Sequence, residues 1–322
     1  MEKFIGIDIG GTNVKIGLID IKGTLLEVDK YPTKELLDTG DFMKAFAGVL
    51  KTHLDKHPDV KKVGMGVPGL VSKDGKSLVE LANVPVLNGY PMVTYLEKEF
   101  KNIKFFLDND ANAAALGEYY FSQEAIPESY IFITLGTGVG GGCIIDKKVF
   151  RGANGNAMEI GHILTHSGRT VETHIGKKGL VAFAKKEMAK GKKSKLEKAE
   201  EIDAKAIVKA AKKGDRVALK TLDMMGTVLG ECIVSCIRTL DVHTVLIGGG
   251  VAKAYDLFKD SMIDTIEEWL SSYYTKDLTI KLATLGNDAG MIGAAALCFM
   301  DEPEAKTTTK TTASKTTKKT NQ

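Results

Sequence analysis

The residues in this chain best equipped for chemistry are two glycine turns and the carboxylates near them. Gly10-Gly11-Thr12-Asn13 follows an apolar run that begins at Phe4, with Lys15 just beyond, and Gly136-Thr137-Gly138 follows a second such run from Tyr130. Glycines bring backbone N–H groups close to whatever lies against the turn, and several such groups beside a hydroxyl make a concavity for an anion. Either turn taken singly is also just a tight hairpin; two matching turns, each preceded by a buried strand, favour phosphate. Asp8, two residues ahead of the first turn, has two readings. It caps the turn, or it stands near Mg²⁺, which usually takes one or two carboxylates together with substrate phosphates. Asp110 also has two. In Asp108-Asn109-Asp110 it closes a strand and opens an alanine-rich helix, so it is either a plain helix N-cap or a well-held general base for a hydroxyl proton.

Other phosphate motifs fail. Gly64 to Gly69 and Gly136 to Gly141 both match Gly-x-Gly-x-x-Gly, but a dinucleotide fingerprint needs a helix to begin at the motif so that its N-terminus meets the pyrophosphate. The first contains Pro68 and runs into a Lys-Asp-Gly turn, and the second leads straight into the strand-like Cys143-Ile144-Ile145. No P-loop pattern of Gly, four residues and Gly-Lys-Ser/Thr is present.

The elements that must position these groups follow from periodicity. Residues 4–20 read as strand, turn, strand, because alternating apolar positions resume right after the glycines. Residues 130–146 lie over them without a gap, both segments closing on Ile-Asp, and such a repeat predicts two related α/β lobes facing each other across a cleft. A helix is expected over 41–57, a strand ending in Gly64-Met65-Gly66-Val67-Pro68-Gly69, and a strand over 104–107 running into a helix over 111–120. Residues 180–240 are helical by period and by Ala, Lys, Glu and Leu content. A buried strand over 242–247 is closed by Gly248-Gly249-Gly250 and followed by a helix to 269, and a last helix covers 290–299.

Composition narrows the class. The 322 residues are 43% hydrophobic, enough for an ordinary buried core, and the formal charge is +3. Residues 301–322 hold five lysines against three acids and no apolar residue beyond alanine, so they are expected to be a disordered tail, and the body is close to neutral. A body without a clustered basic surface disfavours nucleic-acid binding. Cys143, Cys232, Cys236 and Cys298 show no Cys-x-x-Cys pairing and read as buried free thiols. With no signal-peptide pattern and no apolar run of about 18 residues, a reducing cytoplasm is the expected compartment and no membrane partner is expected.

Taken together, these residues resemble the sugar kinase, Hsp70 and actin superfold, and within it the ROK family of bacterial sugar kinases and repressors. Asp8-Ile-Gly10-Gly11-Thr12-Asn13-x-Lys15 looks like its first phosphate turn, Gly136-Thr137-Gly138-Val139-Gly140-Gly141 like the second, and Gly248-Gly249-Gly250-Val251 like the adenosine turn. Leu107-Asp108-Asn109-Asp110-Ala111-Asn112, Glu159-Ile160-Gly161-His162 and Gly286-Asn287-Asp288-Ala289-Gly290 follow in the family's order. The resemblance implies two ribonuclease H-like lobes around a central cleft, an actin-like ATPase fold. An N-terminal lobe over 1–118 would carry a C-terminal helix, about 290–300, packing back on it, and a second lobe would cover 119–289. It implies ATP and Mg²⁺ as cofactors, a homodimer, Asp110 as catalytic base, Asn109 beside it on the sugar, and Glu159, His162, Glu172 and Asn83 on the ring hydroxyls. By itself His162 is better read as a partly buried histidine with ordinary partners than as a ligand, and the resemblance reverses that preference.

The implied reaction moves the γ-phosphoryl group of ATP to a hexose hydroxyl, with the 6-hydroxyl of glucose as the leading expectation. N-acetylglucosamine, N-acetylmannosamine, allose and fructose are alternatives, since pocket shape decides among them. A catalytically silent sugar sensor is the alternative of another class; Asp110, Lys15 and both turns together argue against it. Two departures matter. Many ROK proteins follow Gly-His with three cysteines that bind zinc, whereas residues 163–172 here contain none, so no structural zinc is expected. ROK repressors carry an N-terminal helix-turn-helix, and this chain starts on the first strand.

Overall fold

The computed structural model describes residues 2–81 and 84–300. The Thr/Lys-rich 301–322 and Asn83, both the subject of expectations above, lie outside the described residues.

The first sheet grows from the glycine hairpin. β1 (Lys3–Ile9) and β2 (Asn13–Asp20) pair antiparallel, with Asp8 opposite Lys15 and Ile9 opposite Val14. β3 (Leu25–Pro32) joins the outer edge of β2. The chain then crosses through α1 (Thr33–Asp38) and α2 (Phe42–Lys56) to β4 (Lys62–Val67), parallel to β1. α2 starts where its sequence says it should: the Asp41 side chain accepts the Lys44 N–H at 3.0 Å, and Phe42, Phe46, Leu50 and Leu54 bury one stripe. A ribbon of β5 (Leu70–Val71) and β6 (Leu78–Glu80) and then α3 (Met92–Glu99) lead to β7 (Lys104–Asn109), parallel to β4. The order is β3-β2-β1-β4-β7.

After α4 (Asp110–Phe121) the second sheet repeats that plan. β8 (Tyr130–Leu135), β9 (Val139–Ile145) and β10 (Lys148–Val149) are antiparallel. A helical layer of α5 (Val171–Ile175), α6 (Lys177–Met188), α7 (Ala204–Ala211) and α8 (Arg216–Leu240) follows. β11 (Thr244–Gly248), α9 (Lys259–Trp269), α10 (Ser272–Thr275) and β12 (Thr279–Leu282) complete the order β10-β9-β8-β11-β12. The repeat is therefore one of topology, position by position, around two separate apolar cores. It is not gapless: the first hairpin closes from Ile9 to Val14 and the second from Leu135 to Val139, one residue tighter. Val139 thus takes the place of Val14, and the second strands slip by one.

The last helix, α11 (Ala289–Ala296), packs on β1 and β4 and against α4. It can do so because the strands are bare there: a Cβ on Gly64 would lie 1.7 Å from the Ala294 carbonyl oxygen, and one on Gly6 2.0 Å from that of Met291. α4 in turn packs on β9. A seam of alanine and glycine helices thus separates the sheets and aims the N-termini of α4 and α11 at one place.

Candidate active site

A cavity of about 330 Å³ opens at that place. Asp8 at the end of β1, Thr134 at the matching position of β8, Asp110 and Ala114 of α4, Gly248, Gly249 and Gly250 after β11, and Gly290 of α11 all line it. Two helix N-termini in one cavity favour an anion. Gly249 has φ +86°, and a Cβ there would sit 2.4 Å from the Leu135 carbonyl oxygen, so only glycine lets the triple-glycine turn lie against the end of β8. Phe132, Ile247, Leu282 and Ala283 give the cavity an apolar wall, and Lys253 and Asn287 supply polar groups.

The two readings of Asp110 are separated by its neighbour. Asn109 is the N-cap of α4: its Oδ1 accepts the N–H of Ala111 at 2.8 Å and of Asn112 at 3.3 Å, while its Nδ2 donates to the Gly69 carbonyl. Asp110 is the first helical residue, its Oδ1 also taking the Ala111 N–H at 2.8 Å. Withdrawal from water, the nearby Asp8 carboxylate and, less strongly, Glu159 push its carboxyl up to about 7. Burial and like charge outweigh the helix N–H groups that oppose them. Asp8 itself accepts the Lys15 ammonium at 2.8 Å, and α11 comes so close that a Cβ on Gly290 would lie 2.9 Å from the carboxylate.

The phosphate-type turns continue from the strands that bring Asp8 and Thr134 into the cavity, without themselves lining it. In the first, the Gly10 N–H donates to Asn13, and Thr33 takes the Gly10 carbonyl with its hydroxyl and the Thr12 carbonyl with its N–H. In the second, the Gly136 N–H donates to Gly138 and the Thr137 carbonyl accepts from Lys177. Among the described residues the N–H groups of Gly11, Thr12, Thr137 and Gly138 make no hydrogen bond.

Of the expected sugar residues, Glu159, His162 and Glu172 form a second group, with Glu159 near enough to Asp110 to act on its charge. Glu159 ends the segment before a single 3-10 turn, Ile160–His162. Burial holds its carboxyl above the usual range, with His162 opposing and Glu172 adding to the shift. Glu172, in the first turn of α5, binds the backbone of the second glycine turn: its Oε2 accepts the Val139 N–H at 3.0 Å. That carboxylate therefore ties the loop after His162 to the turn at 136–138, a contact the sequence did not announce.

A profile of the ROK family matches residues 4–300. The chain belongs to the ROK family. It is 31% identical over 317 residues to a glucokinase of Halalkalibacterium halodurans, covering 93% of this chain and 96% of the relative. It is 29% identical over 311 residues to an N-acetyl-D-glucosamine kinase of Vibrio vulnificus, covering 91% and 98%. The crystal structure of a ROK family glucokinase from Streptomyces griseus, in complex with glucose and AMPPNP, superposes with a TM-score of 0.78 at 29% identity, covering 92% and 99%.

In this ROK chain the cysteine-free loop after His162 is ordered by hydrogen bonds. His174 Nε2 meets Ser167 Oγ at 2.7 Å and Thr165 Oγ1 at 3.3 Å, Thr165 and Arg169 pair through their backbones, and His166 Nδ1 lies 2.7 Å from Glu231 on α8. Among the described residues no three His, Cys, Asp or Glu side chains are grouped to hold a metal. No helix among them is long and apolar enough to cross a membrane. Sequence reasoning missed Thr134, Lys253 and Asn287 as lining residues. Thr134 was within reach, since the hairpin repeat places it opposite Asp8.

Proposed function

We propose that this ROK protein transfers the γ-phosphoryl group of ATP to a hexose hydroxyl, with the 6-hydroxyl of glucose as the first acceptor to test. The observation that carries this reading is Asp110: relieved of capping by Asn109 and raised to about 7, its carboxyl stands in the cavity shared with Asp8 and Gly248-Gly249-Gly250. A general base is most useful when its pKa lies near the working pH. In the proposed step Asp110 takes the hydroxyl proton as the hydroxyl oxygen bonds to the γ-phosphorus. The bond from that phosphorus to the β,γ-bridging oxygen breaks, and ADP leaves. Free N–H groups at Gly11, Thr12, Thr137 and Gly138 would hold the phosphates, and Lys15 and Lys253 would offset their charge. Asn109, Asn83, Glu159, His162 and Glu172 are assigned to the sugar.

The donor set suits Mg²⁺ held mostly by its substrate. Asp8 offers one hard carboxylate already balanced by Lys15, so it would give the ion one anionic ligand or a water contact, leaving Asp110 to the hydroxyl proton. Mg²⁺ would neutralise charge on the β- and γ-phosphate oxygens.

ADP release from MgATP, coupled to a dehydrogenase readout, tests the reading against a panel of glucose, N-acetylglucosamine, N-acetylmannosamine, allose and fructose. Release should require one of these sugars, and Asp110→Asn should lower kcat by about 10²–10⁴-fold while calorimetry still detects sugar binding. The similarity to an N-acetyl-D-glucosamine kinase makes that sugar the first alternative acceptor. If no sugar stimulates release but one binds, the sensor reading replaces this one.

A further inference from the structure

We propose that Arg151 is a positioning residue for Asp110, acting through the buried carboxylate of Asp108. This inference rests on the reading of Asp110 as the base and goes beyond it. Asp108 is 3% exposed, on β7, two residues before Asp110. A carboxylate withdrawn from water in this way must be paired or hydrogen-bonded to be tolerated. Its Oδ1 accepts the Asn109 N–H at 2.8 Å and the Asn112 Nδ2 at 3.1 Å. Its Oδ2 takes the guanidinium of Arg151. The carboxylate therefore grips the chain on both sides of Asp110, and its only cationic partner among the described residues comes from the other sheet, just past β10.

A second contact shows that the whole connection docks there. Asn156 pairs with the Val71 backbone as a strand would, its Oδ1 accepting the Val71 N–H at 2.9 Å and its Nδ2 donating to the Val71 carbonyl at 3.0 Å. Gly155 lies over Lys73, where a Cβ would come within 3.2 Å of the Lys73 Cα. Residues 151–156 follow β10 in the chain but are fastened to the first lobe. Only Ala157 and Met158 separate them from Glu159, and Met158 is held at φ +69°, a conformation a long side chain keeps only where its surroundings over-determine it. Asn109, Asp110 and Glu159 consequently share one frame, and Arg151 is the charge that closes it. Arginine suits the task because its planar fork fixes direction as well as charge, which an ammonium does not.

The test compares wild type with Arg151→Gln, Arg151→Lys and the charge-free pair Asp108→Asn/Arg151→Gln, which leaves no unpaired buried charge and so guards against simple misfolding. Wild-type turnover on its hexose is measured first; if wild type is silent with every sugar, the functional reading falls, and this inference with it. With an active wild type, Arg151→Gln and the double variant should lose about 10- to 100-fold in kcat, the scale of a misplacement near 1 Å. KM for ATP should stay within about twofold, the acidic limb of the pH–rate profile should move, and Arg151→Lys should recover part of the loss. A purely structural pair would lower the melting temperature yet leave kcat and the pH limb of the folded enzyme unchanged. Folded Arg151→Gln and double variants with wild-type kcat and an unmoved pH limb would overturn the proposal.

Discussion

Replacing Asp110 by asparagine should make the protein more stable, and the gain should depend on pH. The carboxyl titrates at about 7 against an ordinary 3.8, because withdrawal from water and the Asp8 carboxylate disfavour its charge. A shift of roughly 3 units at ~1.4 kcal/mol per unit gives a ceiling of about 4 kcal/mol. Partial access to water and an effective dielectric well above that of dry protein reduce this to about 2 kcal/mol. The sign follows from proton binding. Below the unfolded value, near 3.8, both states are protonated and the site costs nothing. Between there and about 7 the folded state holds a proton that the unfolded state has lost, so stability falls as pH rises. Above about 7 the cost is present in full. Asparagine has the same shape without the charge, so Asp110→Asn should exceed wild type by about 2 kcal/mol at pH 8 and match it near pH 4. Urea unfolding at both pH values, with EDTA and no nucleotide, reads this directly as a displaced midpoint at unchanged slope. A variant no more stable than wild type at pH 8, or equally more stable at both pH values, would refute the account of Asp110.

The other expectations concern the walls of the site. Lys253 lines the cavity beside Asp8 and Asp110 and has no ion-pair partner among the described residues, so on the proposed reading Lys253→Ala should raise KM for ATP several-fold, about 1 kcal/mol at most for an exposed contact, with sugar affinity unchanged by calorimetry. Gly249→Ala forces a Cβ into Leu135 at positive φ; a loss of about 1–3 kcal/mol in stability and of most nucleotide binding should appear in urea melts and titration with AMPPNP. His174→Ala frees Ser167 and Thr165 and should cost about 1 kcal/mol while raising sugar KM more than it lowers kcat. Dialysis against a zinc-selective chelator, followed by Mg²⁺, should leave activity as it was.

Much of this architecture was legible because it rests on local rules. Asp41 before an apolar 3.6-residue period placed the start of α2, and the glycine hairpins announced themselves by alternation on both sides. Less legible were groups whose roles depend on what folds against them. Asn109 and Asp110 are both good N-caps and stand side by side, so composition could not choose which capped α4 and which lined the cavity. β3 and β12 are edge strands without buried residues at alternate positions, and their polarity hid them. The one-residue slip in the second hairpin left no trace in a gapless overlay, since Val139-Gly140 and Asn13-Val14 both pass as strand starts. Arg151 and Asp108 meet across the two sheets, and nothing in a single sequence links them.

The seam between α4 and the bare strand β9, where a Cβ on Gly142 would lie 2.7 Å from the Ala111 carbonyl oxygen, has a mechanical consequence. Helices seated on backbone, with alanine and glycine between them, have almost no rotamers to rearrange, so any relative motion of the lobes must come as a small slide of one rigid layer over another. Each added methyl on that bearing surface would act as a shim, resetting the resting gap between the halves rather than softening either one.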